Sequence, residues 1–372
     1  MIRILHSVSN MDRAGIETML MNYYRNIDRT KIQFDFLANK PKIGDYEEEI
    51  KALGGHIYRS PGFMPQNIGK YMDYMRRILS EDRDIRILHV HNESFGAFAL
   101  VAARKCGMPN RLFHAHSTNI KRDFKYLYKL FCKRLIPKNS TMRLACSKEA
   151  ARFFFGSRVA DSGDYLTIHN AIDLGKFAFS EETRAEMRSQ LGLSDKFVIG
   201  HIGRFSSEKN QTRLVEMLPE IQKLRRNAVL LLVGEGELAQ DVKKRVSELS
   251  LSESVVFTGS VPDTHRYYQA MDVFVLPSLF EGLPVTGIEA QANGLPCLFS
   301  SGVPDEAASA ENTAFLPLSE TNERWAQEIM LLYGKNNIRS AGGCIMKNAG
   351  YDIGTEALKL QELYLSIAKA ER

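Results

Sequence analysis

Two glutamates eight residues apart, Glu281 and Glu289, bracket Phe280-Glu281-Gly282-Leu283-Pro284-Val285-Thr286-Gly287-Ile288-Glu289-Ala290. An apolar run from Asp272 to Leu276 precedes this stretch, and a helical pattern follows it to Asn293-Gly294-Leu295-Pro296. Pro284 suits a first helical position. The spacing therefore predicts Glu281 on a loop at a strand tip and Glu289 about one turn into the next helix. Open α/β sheets bind ligands beyond the carboxyl ends of their strands. A helix N-terminus there favours an anion, and carboxylates accept hydrogen bonds from hydroxyls. An anion combined with hydroxyls points to a sugar nucleotide.

A second group lies in Gly203-Arg204-Phe205-Ser206-Ser207-Glu208-Lys209-Asn210, between a predicted strand and a helix. Gly203 permits a tight turn, while Arg204 and Lys209 can aim a planar fork and a point charge at one diphosphate. The plainer reading is a loop whose Glu208 pairs with Lys209 or Arg204. A third group is Asn10-Met11-Asp12-Arg13-Ala14-Gly15-Ile16-Glu17, where Gly15 opens a helix and would let a substrate approach the backbone. His89 and His91, and His114 and His116, sit in pairs two apart at strand ends, so each pair shares a face. Four histidines on neighbouring strands could bind a metal, but no carboxylate or cysteine joins them at a recognised zinc spacing, so structural histidines are the expectation and no metal is assigned. His116 stands out because it ends its strand where an interdomain cleft is expected. Val233-Gly234-Glu235-Gly236 lacks the third glycine of a dinucleotide fingerprint and reads as a strand–helix turn near a nucleotide base.

These groups need elements to hold them. Short apolar runs at Ile2–Val8, Gln33–Leu37, Arg86–His91, Arg111–His116, Arg143–Cys146 and Tyr165–Ile168 alternate with helical patterns. A second series follows at Phe197–Ile202, Val229–Val233, Val255–Phe257, Val273–Leu276 and Pro296–Phe299. Strands without strict alternation, separated by helices, predict parallel sheets covered on both faces. The fold class is α/β with two doubly wound domains, 1–175 and 190–350. A last helix over 354–372 would return to the first domain. The chain of 372 residues is 44% apolar and 25% charged, as soluble globular proteins are. Its net charge of +5 does not by itself indicate nucleic acid. Five cysteines without a Cys-x-x-Cys pair suit a reduced, cytoplasmic setting with buried thiols. No signal peptide or membrane-spanning run is apparent. The segment 119–138 interleaves seven basic residues, Lys121 and Arg122 among them, with aromatic and aliphatic ones. It predicts either a surface helix or contact with an anionic membrane at the inner face of the plasma membrane. No nucleic-acid motif accompanies it.

Taken together, these segments resemble the retaining glycosyltransferases of family four, of the bacterial capsule and exopolysaccharide type. Glu281 to Glu289 matches their Glu-seven-residues-Glu motif, and Gly203-Arg204 with Lys209 matches their phosphate loop. Asn170-Ala171-Ile172-Asp173 is similar to their interdomain Asn-Gly-Ile-Asp, with Ala171 in place of glycine. The resemblance implies a GT-B fold, two Rossmann-like domains facing a central cleft. It implies that Arg204 and Lys209 hold the donor diphosphate and that Glu289 binds the ribose. Glu281 would contact the donor sugar, with backbone amides near Gly282 and Leu283. His116 corresponds to an active-site histidine and Ala14-Gly15 to an acceptor-side loop, where the family more usually has Gly-Gly. Thr286 and Asn293 depart from the usual small or apolar residues and would tune donor choice. The implied reaction moves a hexose or N-acetylhexosamine from a nucleoside-diphosphate sugar, UDP by family habit, to a saccharide or lipid-linked acceptor without cofactor or metal. A sugar-nucleotide epimerase and a non-catalytic partner subunit share the shape and stand as alternatives.

Overall fold

Apolar runs too short for helices become strands buried on both faces, as parallel sheets require. In the computed structural model, which describes residues 1–62, 67–120, 123–335 and 338–369, the contacts divide the chain into two units. The first is Met1–Ala171 with the segment from Ile353 onward, and the second is Ile172–Asp352. The chain thus passes between units twice, and the two crossings meet: Ile172 bridges Asp352, and its N–H donates to Tyr351.

The first unit holds β1 (Ile2–Val8), β2 (Ile32–Ala38), β3 (Ile57–Arg59), β4 (Ile85–Val90), β5 (Asn110–Ala115), β6 (Met142–Ala145) and β7 (Leu166–Thr167). They form one parallel sheet in the order β3-β2-β1-β4-β5-β6-β7. Helix Gly15–Asn26 buries Met19, Leu20, Tyr23 and Tyr24 on one stripe. The last helix, Ile353–Lys369, buries Ile353, Ala357, Leu360 and Tyr364, spaced three to four apart, in the same core. Gln361 of that helix accepts from the Asp28 amide at 2.7 Å, so the segment is keyed to this unit by polar as well as apolar contacts.

The second unit holds β8 (Phe197–Ile202), β9 (Ala228–Val233), β10 (Val255–Gly259), β11 (Val273–Leu276), β12 (Cys297–Ser300) and β13 (Thr313–Leu316), again all parallel, in the order β10-β9-β8-β11-β12-β13. The fold is therefore two doubly wound, Rossmann-like domains. β3 and β13 were not expected from sequence. Both are short strands at a sheet edge and only partly buried, so neither carries a strong apolar run. The single tryptophan, Trp325, is fully buried in the second unit's core.

Candidate active site

In each sheet the strand order reverses once, and the loops leaving the two strands that flank the reversal frame a crevice. In the second unit those strands are β8 and β11. The loop after β8 is Gly203–Asn210, and the loop after β11 runs from Pro277 to Pro284. Three ties join them. Lys209 Nζ donates to Glu281 Oε1 at 2.6 Å, the Leu279 amide donates to the Glu208 carbonyl at 2.8 Å, and Asn210 Nδ2 donates to the Pro277 carbonyl at 3.1 Å. Ser278, fully buried, donates to the same Glu281 oxygen at 2.7 Å. Asn210 sits in the left-handed region with φ 56°, which Asn tolerates better than most residues, and from there helix Gln211–Leu224 begins. Lys209 thus reaches past its chain neighbour Glu208 to a partner 72 residues away. Arg204 does not join this cluster. Its exposed guanidinium lies 3.6 Å from Glu237.

Sequence reasoning missed what steadies the loop. His201, fully buried at the end of β8, is 2.9 Å from the Val275 carbonyl through Nδ1, and its Nε2 is 3.3 Å from Gln211 Nε2. Gln211 in turn donates to the Arg204 carbonyl at 2.8 Å. Burial pushes His201 down to about 4, against the Val275 bond that raises it, so the ring is neutral, with the Nδ1 proton on Val275 and Nε2 accepting. Its signal in the sequence is only a histidine in an apolar strand. The Gly234-Glu235-Gly236 turn proves to be a packing requirement. A Cβ on Gly234 would lie 2.2 Å from the Gly203 carbonyl oxygen, and one on Gly236 would lie 2.2 Å from that of Phe205. The turn also binds the loop directly, the Phe205 amide donating to the Glu235 carbonyl at 2.9 Å.

Glu289 lies within helix Val285–Ala292, as its spacing predicts, and is buried. Its Oε2 is 2.7 Å from the hydroxyl of Tyr268, which is also 3.1 Å from the Thr286 carbonyl. Burial raises the Glu289 carboxyl to about 7, with Tyr268 and Lys176 opposing. When protonated, Glu289 can donate to Tyr268, leaving the phenol proton for Thr286. When ionised, it accepts the hydrogen bond of the Tyr268 hydroxyl. Asn293 is fully buried, donates to the Phe177 carbonyl at 2.9 Å and accepts from Arg339. Its polar atoms are used in this network. Leu283 is buried and Gly282 half-buried on the loop that leads into the Glu289 helix.

In the first unit the reversal lies between β1 and β4. His91, just past β4, joins His6 of β1 (Nε2 to Nδ1, 3.1 Å) and His116 just past β5 (Nδ1 to Nε2, 2.9 Å). His6 was not singled out from sequence, since only strand pairing places it opposite His89. Burial lowers His6 and His116 to about 3, and takes His89, His91 and His114 well below the usual imidazole range. Gly15 is the first residue of its helix, behind Ala14, which offers no side-chain cap. A Cβ there would meet nothing within 4 Å, so the fold itself does not require the glycine.

Of the basic segment, Lys121 and Arg122 lie outside the described residues, and a helix spans Tyr126–Asn139. Cys132 and Ile136 face inward, while Phe124, Leu127 and Phe131 are 92%, 79% and 56% exposed. The expected inward apolar stripe is therefore only half of the helix. Cys132, Cys146 and Cys297 are buried, but Cys344 is exposed, contrary to a uniform burial of thiols. No helix among the described residues is long and apolar enough to cross a membrane.

The family described as glycosyl transferases group 1 matches residues 183–341, and glycosyltransferase family 4 matches residues 13–176. EpsF of Bacillus subtilis (strain 168) is 35% identical over 332 residues, covering 88% of this chain and 86% of its own length. The UDP-Gal:alpha-D-GlcNAc-diphosphoundecaprenol alpha-1,3-galactosyltransferase of Escherichia coli is 31% identical over 224 residues, 58% of this chain and 57% of its own. Among solved structures, HepE of Anabaena in complex with UDP-glucose superposes with a TM-score of 0.81 at 17% identity, covering 98% of this chain and all of that one. With one family matched in each half and EpsF alike over most of its length, the chain belongs to the group 1, family 4 glycosyltransferases.

Proposed function

We propose that the chain transfers a hexose or N-acetylhexosamine from a uridine diphosphate sugar to a saccharide or lipid-linked saccharide during surface polysaccharide synthesis. Configuration at the anomeric carbon is retained and no metal is used. The observation that carries this reading is the Lys209 ammonium held 2.6 Å from Glu281 between the loops that leave β8 and β11. An incoming diphosphate offers Lys209 a stronger anionic partner and frees Glu281 to accept sugar hydroxyls. As the nucleotide departs, charge grows on its β-phosphate. Lys209, Arg204 swung from the surface and the N-terminus of helix Val285–Ala292 meet that charge in place of a metal. Gly203 lets the loop approach the phosphates, and the backbone near Gly282 and Leu283 assists Glu281. Glu289 accepts from the ribose. By the family resemblance, His116 serves the donor sugar and the Gly15 loop the acceptor. The E. coli relative, named for UDP-Gal and a diphosphoundecaprenol-linked acceptor, supports this donor and acceptor class. Phe124, Leu127 and Phe131 among lysines suit docking of a cytoplasmic enzyme on the inner face of the plasma membrane, where such an acceptor lies.

The test is the purified chain with a panel of UDP- and GDP-sugars in EDTA, read by thermal stabilisation and by the anomeric coupling of the product. Stabilisation by UDP-sugars and an axial product are expected. Activity that appears only with added divalent metal, or an inverted product, refutes the corresponding part of the reading. An altered sugar nucleotide formed without acceptor would establish the epimerase instead.

A further inference from the structure

The imidazoles of the first unit are more numerous and closer than a fold needs. His6, His89, His91, His114 and His116 come from three adjacent strands, β1, β4 and β5, and form a continuous array. Ring centroids stand 5.3 Å apart for His6 and His91, 4.1 Å for His89 and His91, 5.1 Å for His91 and His116, and 3.9 Å for His114 and His116. Two of these, His6 and His114, are wholly inaccessible, and His89 and His91 nearly so. A neutral imidazole carries one N–H and one lone pair, and each wants a partner. Yet neither ring nitrogen of His114 has one among the described residues, and Nε2 of His6 and of His89 also lack one. An unmet buried polar atom costs about 1–3 kcal/mol, so this array is expensive unless something else uses it.

We propose that His91, His114 and His116 form a binding site for one late first-row divalent cation of the zinc type. One ring nitrogen from each lies within 4.8 Å of the other two. His91 Nδ1 and His116 Nε2 are already 2.9 Å apart. Tetrahedral zinc with bonds of about 2.0–2.1 Å holds its nitrogens roughly 3.4 Å apart, so small side-chain rotations suffice. His116 is the partly exposed member and gives an entry path, while His114, fully buried, brings unpartnered nitrogens to the same place. Three neutral imidazoles with a further position open suit Zn²⁺, Co²⁺, Ni²⁺ or Cu²⁺ and disfavour Mg²⁺, which prefers oxygen ligands. His91 Nε2, 3.1 Å from His6 Nδ1, supplies the outer hydrogen bond that metal-bound imidazoles usually make, donating to His6. The site goes beyond the proposed glycosyl transfer and its titration is read without transfer, but it engages His116, which that reading gives to the sugar, so a bound ion would compete with that role. All its residues belong to the first unit, and Lys209, Glu281 and Glu289 belong to the second.

The test uses the full chain, stripped with EDTA and desalted, titrated with Zn²⁺ by calorimetry and with Co²⁺ by visible absorption. One ion per chain and the intense visible bands of tetrahedral Co²⁺ are expected, with no heat from Mg²⁺. His116→Gln, a change at the accessible member, should weaken binding more than roughly tenfold, and His6→Phe should weaken it by about 10–100-fold through His91. His265→Gln, a histidine of the second unit outside every such cluster, should leave binding unchanged. Circular dichroism establishes that each variant is folded, and the titration of the unsubstituted chain carries the test where one is not. Absence of Zn²⁺ uptake by the unsubstituted chain overturns the proposal, as does uptake that survives both His116→Gln and His6→Phe.

Discussion

Glu289→Gln separates the stability of the second unit from its use. Glu289 is buried, and its carboxyl titrates near 7 where an exposed one would titrate near 4.5. That difference corresponds to about 3 kcal/mol between the two protonation states. Its sign follows from linkage: the folded chain holds this proton more tightly than the unfolded chain does. The stability the proton brings is complete below about 4.5, declines as pH rises, and is gone above about 7. Glutamine keeps an acceptor for the Tyr268 hydroxyl and cannot ionise. Parent and variant should therefore unfold alike near pH 4.5, and by pH 8 the variant should be the more stable by on the order of 2–3 kcal/mol. Trp325, the single tryptophan and buried in this unit, reports the relevant transition when urea unfolding is followed by fluorescence at each pH. Carboxyl-carbon NMR gives the titration directly, as one glutamate signal absent from the variant. A parent-to-variant difference that stays constant between pH 4.5 and 8 would refute the argument. If Glu289 also accepts from ribose, the more stable variant should bind UDP more weakly, the usual cost of a residue kept for function.

Lys209→Ala should lower the rate of transfer by about 10²–10³, as loss of a group that meets developing charge does, and normal turnover would remove Lys209 from the reaction. Asn210→Gly keeps φ 56° but loses the bond to the Pro277 carbonyl and should cost about 1 kcal/mol, whereas Asn210→Ala should cost about 1–2 kcal/mol more, measured by urea unfolding. Gly234→Ala, with φ 133° and the Gly203 oxygen 2.2 Å from the new Cβ, should cost at least about 2 kcal/mol and weaken UDP stabilisation. The combined change Phe124→Asp, Leu127→Asp and Phe131→Asp should reduce co-sedimentation with phosphatidylglycerol vesicles by at least about tenfold and leave folding intact; unchanged sedimentation would place the membrane contact elsewhere.

Much of this protein is legible in its residue order. Uniformly apolar strands between helices announce parallel sheets because both faces must be covered, and the interval from Glu281 to Glu289 places one carboxylate on a loop and the other in a helix. These are local facts, fixed by turns, periodicity and the position of Pro284. Which strands become neighbours is not local. Only the closed sheet sets β8 beside β11, and so brings Lys209 to Glu281 across 72 residues while Arg204, five positions before Lys209 in the chain, turns to Glu237. Only the order β1-β4-β5 adds His6 to the two histidine pairs and lines their rings up. The environment of Glu289 is likewise tertiary. The spacing predicts its helix, but the ring of Tyr268 and the burial that raises its carboxyl come from elements distant in sequence, because desolvation depends on everything packed around a group rather than on the residues beside it in the chain.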